Sequence, residues 1–539
     1  MKTKKLLFAL LMILSLQLTY GQITTVKHKN HKTFDIPKWE VIDIVIKSKT
    51  NIKQPYRSDF GAVFTHENGT TQKVPGFYNG NNEWIVRFSS SLKGKWSYIT
   101  YAESSKLKNK KAKISVTDAK ENKHGAIVIN QKNTKRFSYQ DGTPYFLLAF
   151  ECDWLYALDY HNKKEIPKTD HLLNLIQENG FNQVVMNVFS YDVSWKKDEK
   201  LKEHPEHEFG GPKDIFPFLG NNDHPDFSSL NPEFFKKLDR TISMMNDKQI
   251  VSHLMIYVWN KLVAWPEMYS EADNMYFDYV VKRYQAFPNM LWDISKEALY
   301  YGRADTKYIN ERVDRVRKLD SYKRLLTVHD YGYCNKNPEK VDFISSQNWS
   351  HNIYDTMLEA GQKFDKKPVF NIEHGGYEES PYTVFTGNYD NAEYCLRRNY
   401  MCLFSGVYTT YYWQGTSWNA IIYNPFEQPK GVYKPKFDYF KHMNSLFKNL
   451  DFSTFKPVPH KNAGVYNLSD DKGTVLLYVP KENHSIRVWF FKKELKNRTF
   501  EWFNTLTGER QPYSGPTAGQ YMSPWSGQAD AVLISKLIK

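Results

Sequence analysis

Two stretches decide the fold: Met290-Leu291-Trp292-Asp293-Ile294-Ser295-Lys296-Glu297 and Pro368-Val369-Phe370-Asn371-Ile372-Glu373-His374-Gly375-Gly376. Each is a short apolar run that stops at a glutamate, and each reads as a buried strand. In a parallel α/β barrel every strand ends at one common face, so side chains far apart in sequence converge there. Two carboxylates from two strand ends would then share a cleft. Glu297 and Glu373 are the candidate pair.

Outward from these runs the chain alternates strand-like and helix-like segments. Strands are expected at residues 145–150, 182–189, 250–256, 290–294, 324–329, 343–347, 368–372 and 406–413. Helices are expected at 170–179, 232–246, 274–286, 308–319 and 391–403, with Asn231 as an N-cap and Gly180 closing the first. Eight βα units over residues 135–449 predict a central (β/α)8 TIM barrel. The long polar stretch 194–228 after the second strand would rim its mouth. Residues 22–121 and 450–539 read as short strands separated by polar turns. They predict flanking N-terminal and C-terminal β-sandwich domains, the first immunoglobulin-like. A length of 539 residues suits several domains.

The first 21 residues have the grammar of a cleavable signal peptide. Lys2, Lys4 and Lys5 precede an apolar run from 6 to 18, with a cut expected after Gly21. No other run approaches a membrane span, so an exported protein, periplasmic or extracellular, is expected without membrane insertion. Cys152, Cys334, Cys395 and Cys402 form no CxxC pattern. Cys395 and Cys402 share an expected helix, where their spacing puts them about 10 Å apart, too far for a disulfide. Buried thiols are expected, with Cys152 the exception beside the cleft. The formal charge of +14 favours anionic partners. No nucleic-acid motif is present, and an anionic polysaccharide suits an exported protein better.

With the barrel in register, the first strand delivers Glu151, Asp153 and Trp154 to the mouth. The second brings Asn187 and Tyr191, the third Tyr257 and Trp259, and the fourth Lys296 and Glu297. The fifth brings His329, Asp330 and Tyr331, and the sixth Asn348 and Trp349. The seventh and eighth bring Glu373, His374, Trp413, Gln414 and Trp418. Aromatic rings stack on sugar faces, amides and imidazoles bond hydroxyls, and two carboxyls perform acid/base and nucleophilic work on a glycosidic bond. Asp153, Trp154, Asn187, Trp259, Lys296, His329, Trp349, His374, Trp413 and Trp418 are therefore candidate substrate contacts. Glu151 and Asp153 would serve equally as an acid pair or as partners of a cation. Glu378 and Glu379 read as solvated loop residues. No cofactor and no metal are expected, because no spacing resembles HExxH, and no GxSxG elbow is present.

Residues 291–297 and 368–375 resemble the fourth and seventh strand ends of clan A glycoside hydrolases. Residues 150–155 are similar to the apiosidase-like group, related to glycoside hydrolase family 140. Residues 475–509 look like the C-terminal collagen-binding-type sandwich that accompanies that group. The resemblance implies Glu297 as acid/base, titrating high, and Glu373 as nucleophile in a retaining double displacement. The implied substrate is a plant or algal polysaccharide or a derived oligosaccharide, and the charge allows an anionic one. The clan carries Asn directly before its acid/base, whereas Lys296 stands there here. That lysine either meets a sulfate or uronate or points away. The alternative is a non-catalytic carbohydrate-binding protein on a degenerate barrel.

Overall fold

The computed structural model describes residues 21–28, 33–159, 162, 164–208, 215–259, 261–383, 389–416, 418–427, 433–459, 464–484, 486–487, 497–515 and 520–538. The expected signal segment lies outside them, save Gly21, as does part of the strand expected at 485–490.

Eight short runs rich in Val, Ile, Leu and aromatic residues form the central sheet. They are β1 Ala149–Glu151, β2 Gln183–Asn187, β3 Val251–Val258, β4 Met290–Lys296, β5 Leu326–His329, β6 Ile344–Gln347, β7 Val369–Glu373 and β8 Tyr408–Tyr411. Their order is β5-β4-β3-β2-β1-β8-β7-β6, and every neighbouring pair is parallel. The seam between β5 and β6 is drawn together by Asp342 N donating to Leu326 O at 2.8 Å. Thr327 Oγ1 adds bonds to Phe343 O at 2.9 Å and Ser345 Oγ at 3.1 Å. The result is the expected barrel, nearly closed. Its strands are buried along their length save Gln347 at the end of β6, as parallel strands covered by helices must be.

The helices follow their sequence signals. Asn231 caps Pro232–Asp247 by accepting from Glu233 N, and the first helix, Pro167–Glu178, is followed by Gly180 at φ +85°. Part of the 194–228 stretch is ordered rather than a plain polar loop. Phe218–Gly220 and Pro225–Leu230 pair as a hairpin that seats Phe218 beside Tyr276, because its aromatic residues have a core to enter. All four cysteines are buried thiols outside any disulfide, Cys152 among them, so the exception expected there is not found. Among the described residues no helix is long and apolar enough to cross a membrane.

The N-terminal region forms sheets of four and five strands around Phe64, Phe88, Trp84 and Trp96. The C-terminal region forms a six-stranded antiparallel sheet with a two-stranded companion. Both are fastened to the barrel by charge pairs, buried on the N-terminal side and partly exposed on the C-terminal side. Arg87 pairs with Asp43 of its own sheet at 2.8 Å and with Asp239 of the barrel at 2.9 Å. Arg283 joins the same Asp239 at 2.6 Å and bonds Asn79 at 3.0 Å. On the other side, Arg397 pairs with Asp530 at 2.7 Å.

Candidate active site

Glu297 follows β4 directly, and its backbone is unusual. The register between β4 and β5 shifts after Asp293, and Glu297 takes φ +56°, a left-handed conformation that costs an L-residue about 1–2 kcal/mol. Its N–H is held at 2.9 Å by His329 O. Glu373 ends β7 with ordinary strand geometry. One amide connects them. Gln347 Nε2, at the end of β6, donates at 2.5 Å to Glu297 Oε1 and at 2.8 Å to Glu373 Oε2, so these two oxygens are at most about 5.3 Å apart. Both glutamates are almost wholly buried, and burial, then the Glu373 charge, pushes the Glu297 carboxyl up to about 7.

Lys296 points into the same cluster. Its Nζ lies 2.8 Å from Glu373 Oε1, 2.8 Å from Glu151 Oε1 and 3.7 Å from Asp153 Oδ1. Burial opposes its charge, but the surrounding carboxylates outweigh that and hold its pKa well above the ordinary value. Burial holds the Glu151 carboxyl well above its usual range even with this lysine beside it. A second lysine, Lys261, pairs with Asp153 Oδ2 at 3.2 Å. Of the sequence readings, the cation-partner role for Glu151 and Asp153 is therefore the one the geometry supports. Lys296 is an internal counter-ion: it does not point away, and three carboxylates surround it in place of the sulfate or uronate of the other reading.

His329 Nε2 lies 3.3 Å from Glu373 Oε1, and burial together with Lys296 pushes its pKa down to about 3, leaving the imidazole neutral. His374 sits differently. Its Nε2 bonds Thr410 O at 2.9 Å, its Nδ1 accepts from Gly376 N at 3.1 Å, and Arg398 Nε donates to its carbonyl at 2.7 Å. Both ring nitrogens are spent on backbone, so His374 frames the strand end that carries Glu373 and is corrected as a sugar contact.

The tryptophans divide in the same way. Trp154 and Trp413 are fully buried, Trp154 edge-on to Phe189 and Trp413 donating to Glu379 O at 2.6 Å. Neither has a face to offer a sugar, and both are corrected to core. Trp418 packs against Trp195, Tyr377 and Tyr412 with a backbone φ of +55°. Trp259 stacks on Tyr257 at 5.4 Å beneath Arg303, and Trp349 is half-buried, edge-on to Tyr377. Asn187 is buried, with its Nδ2 3.4 Å from Asp153 Oδ1. Glu378, expected in solvent, is fully buried and accepts from Tyr411 Oη and Tyr433 Oη, each at 2.6 Å, and from Lys436 N at 2.7 Å. Burial pushes it up to about 7. Asp330 caps the helix Tyr331–Lys336 by accepting from Tyr333 N at 3.1 Å.

Sequence reasoning missed Gln347, Lys261, Asp293 and the exposed pair Tyr300 and Tyr301. The two tyrosines follow Glu297 closely, and Tyr301 N bonds its carbonyl at 3.1 Å. Gln347 directly precedes Asn348 and Trp349, the residues expected at the mouth from the sixth strand. The tyrosines carried a signal, two adjacent aromatics just after a candidate acid.

A crystal structure of a candidate glycoside hydrolase from Bacteroides vulgatus ATCC 8482 superposes with a TM-score of 0.73 at 18% identity, covering 94% of this chain and all of that one. A glycoside hydrolase family 5 structure from the same strain gives 0.56 at 16%, covering 77% of this chain and 93% of that one. At such identities these likenesses show a shared fold. No curated protein matches the sequence. Residues 35–103 match a domain of unknown function, DUF5060. Residues 131–452 match the model described as apiosidase-like, catalytic domain. That match spans more than half of the sequence and encloses the Glu297–Glu373 cleft, so the chain belongs to the apiosidase-like family of glycoside hydrolases.

Proposed function

We propose that the chain cleaves glycosidic bonds with retention of configuration, Glu297 serving as acid/base and Glu373 as nucleophile. The observation that carries this is the Gln347 amide bonded to both carboxylates. The upper limit of about 5.3 Å that it sets between the two oxygens is compatible with the roughly 5–5.5 Å of retaining enzymes and falls short of the about 6.5–9.5 Å at which an inverting pair stands to admit a water. Burial supports the division of labour, because the carboxyl raised to about 7 is the one able to hold a proton near neutral pH. Lys296 and neutral His329 flank Glu373 Oε1, orienting it and placing a positive charge against it.

In the first step Glu297 gives its proton to the leaving oxygen while Glu373 bonds to the anomeric carbon. In the second, Glu297 takes a proton from water, which displaces Glu373. The substrate is a plant or algal polysaccharide or an oligosaccharide from one, and Tyr300 and Tyr301 offer exposed rings for stacking. The protein is exported behind its leading basic and apolar segment.

A screen for reducing-end release across neutral and anionic plant and algal polysaccharides identifies a cleaved substrate. Proton NMR of the first product formed should then show the anomer of the substrate. A 2-deoxy-2-fluoro glycoside of the released sugar should add its glycosyl mass to the peptide containing Glu373. Inverted product, or a label on any other peptide, rules the mechanism out.

A further inference from the structure

The stretch His204-Pro205-Glu206-His207 lies outside the catalytic pair, on the chain that follows β2. Among the described residues it is where three potential metal ligands gather, their donor atoms all within 4.8 Å of one another. His204 Nδ1 is 3.2 Å from Glu206 Oε1, and His207 Nε2 is 3.9 Å from the same oxygen. Ligands bound tetrahedrally at about 2.0–2.1 Å stand about 3.3–3.4 Å apart. Of the two measured edges, the first is within about 0.2 Å of that spacing and the second about half an ångström longer, a gap that a turn of the exposed Glu206 side chain closes. Its chemistry is also suitable, two imidazoles and a carboxylate being a set that suits zinc.

The surroundings are those of a supported ligand. His207 Nδ1 lies 2.7 Å from the hydroxyl of Tyr382, and an Nδ1–H donated there leaves the Nε2 lone pair facing Glu206. A metal-bound imidazole is ordinarily fixed in this way through its other nitrogen. The backbone is pinned as well. Ile421 N donates to His207 O at 2.8 Å, Glu208 bridges to Ala420, and Thr383 N donates to Asp198 Oδ2 at 2.8 Å. The segment thus meets the chain after β7 at Tyr382 and the chain after β8 at Ala420, two residues beyond Trp418.

We propose that His204, Glu206 and His207 bind one zinc ion, with a fourth position left for water. Such an ion would fasten the chain after β2 at the place where it meets the loops after β7 and β8. It would take no part in bond cleavage.

The test uses the full-length, tag-free protein, stripped with a chelator and titrated with Co²⁺ and then Zn²⁺. One equivalent of Co²⁺ should give the intense visible absorption of a tetrahedral site, and Zn²⁺ should bleach it. His204→Ala and Glu206→Gln should each weaken binding at least about tenfold. Both side chains are substantially exposed, so the variants should fold as the parent does, which circular dichroism checks. Zinc should also raise the melting temperature of the parent and leave that of the variants unmoved. Absence of saturable binding at one equivalent, or equal affinity in parent and variants, overturns the site and reduces the triad to a hydrogen-bonded surface cluster.

Discussion

Glu297 combines three properties rarely held by one residue: a left-handed backbone, near-complete burial and a proton retained to about pH 7. Its elevated pKa has a direction that experiment can read. The acid form is present below about 7 and is lost above it, so kcat/KM should fall tenfold per pH unit on an alkaline limb centred near 7. Glu297→Gln should lower turnover by about 10²–10⁴-fold and abolish that limb. The same raised pKa makes folding stability decline as pH climbs from about 4.5 to 7, because over that window the folded carboxyl keeps a proton that the unfolded one has released. The two glutamates of the cleft stand out in the sequence because each interrupts an apolar run, and an interruption is visible in one dimension. Trp154 and Trp413 were misread because both lie just past a strand end, where the sequence does not distinguish a ring turned into the core from one facing the mouth. Lys261 and Gln347 were silent because their partners, Asp153 and the two glutamates, are distant in sequence.

At the level of elements, β4 is held by one buried side chain. Asp293 accepts from His329 N at 2.8 Å and Ser295 N at 3.2 Å through one oxygen, and meets His253 Nε2 at 2.9 Å through the other. These bonds span the register shift that presents Glu297. Asp293→Ala would leave three buried polar groups unmatched, each worth about 1–3 kcal/mol. The variant should lose at least about 3 kcal/mol in denaturant unfolding, and the surviving folded fraction should have lower kcat, since the strand end would no longer be fixed. Strand existence and order were readable from hydrophobic runs and spacing. Strand ends were less so: β1 begins at Ala149 and β4 continues to Lys296, because hydrogen-bond register rather than composition sets the boundary.

Across the whole molecule, the N-terminal sandwich and the barrel share a buried charge network. Arg87 is enclosed by Asp43, Asp239 and the Arg283 carbonyl, and burial of its guanidinium is outweighed by the two carboxylates. Arg87→Met would strand Asp43 at the interface, leave Asp239 to Arg283 alone, and should destabilise the protein by about 3–5 kcal/mol. Calorimetry should then separate one unfolding transition into two, as the sandwich loses its coupling to the barrel. The three-part plan was legible from the shift between short-strand and βα regimes. The contacts that join the parts were not, because Arg87 and Asp239 belong to segments that composition treats independently.

The four thiols all belong to the barrel region, none to the flanking sheets, and all are sealed from solvent. Their reaction with an alkylating reagent therefore acts as a clock for the opening of that one part of the protein. Breathing of either sandwich leaves the clock untouched, so a single chemical readout can follow the catalytic region alone within the intact chain.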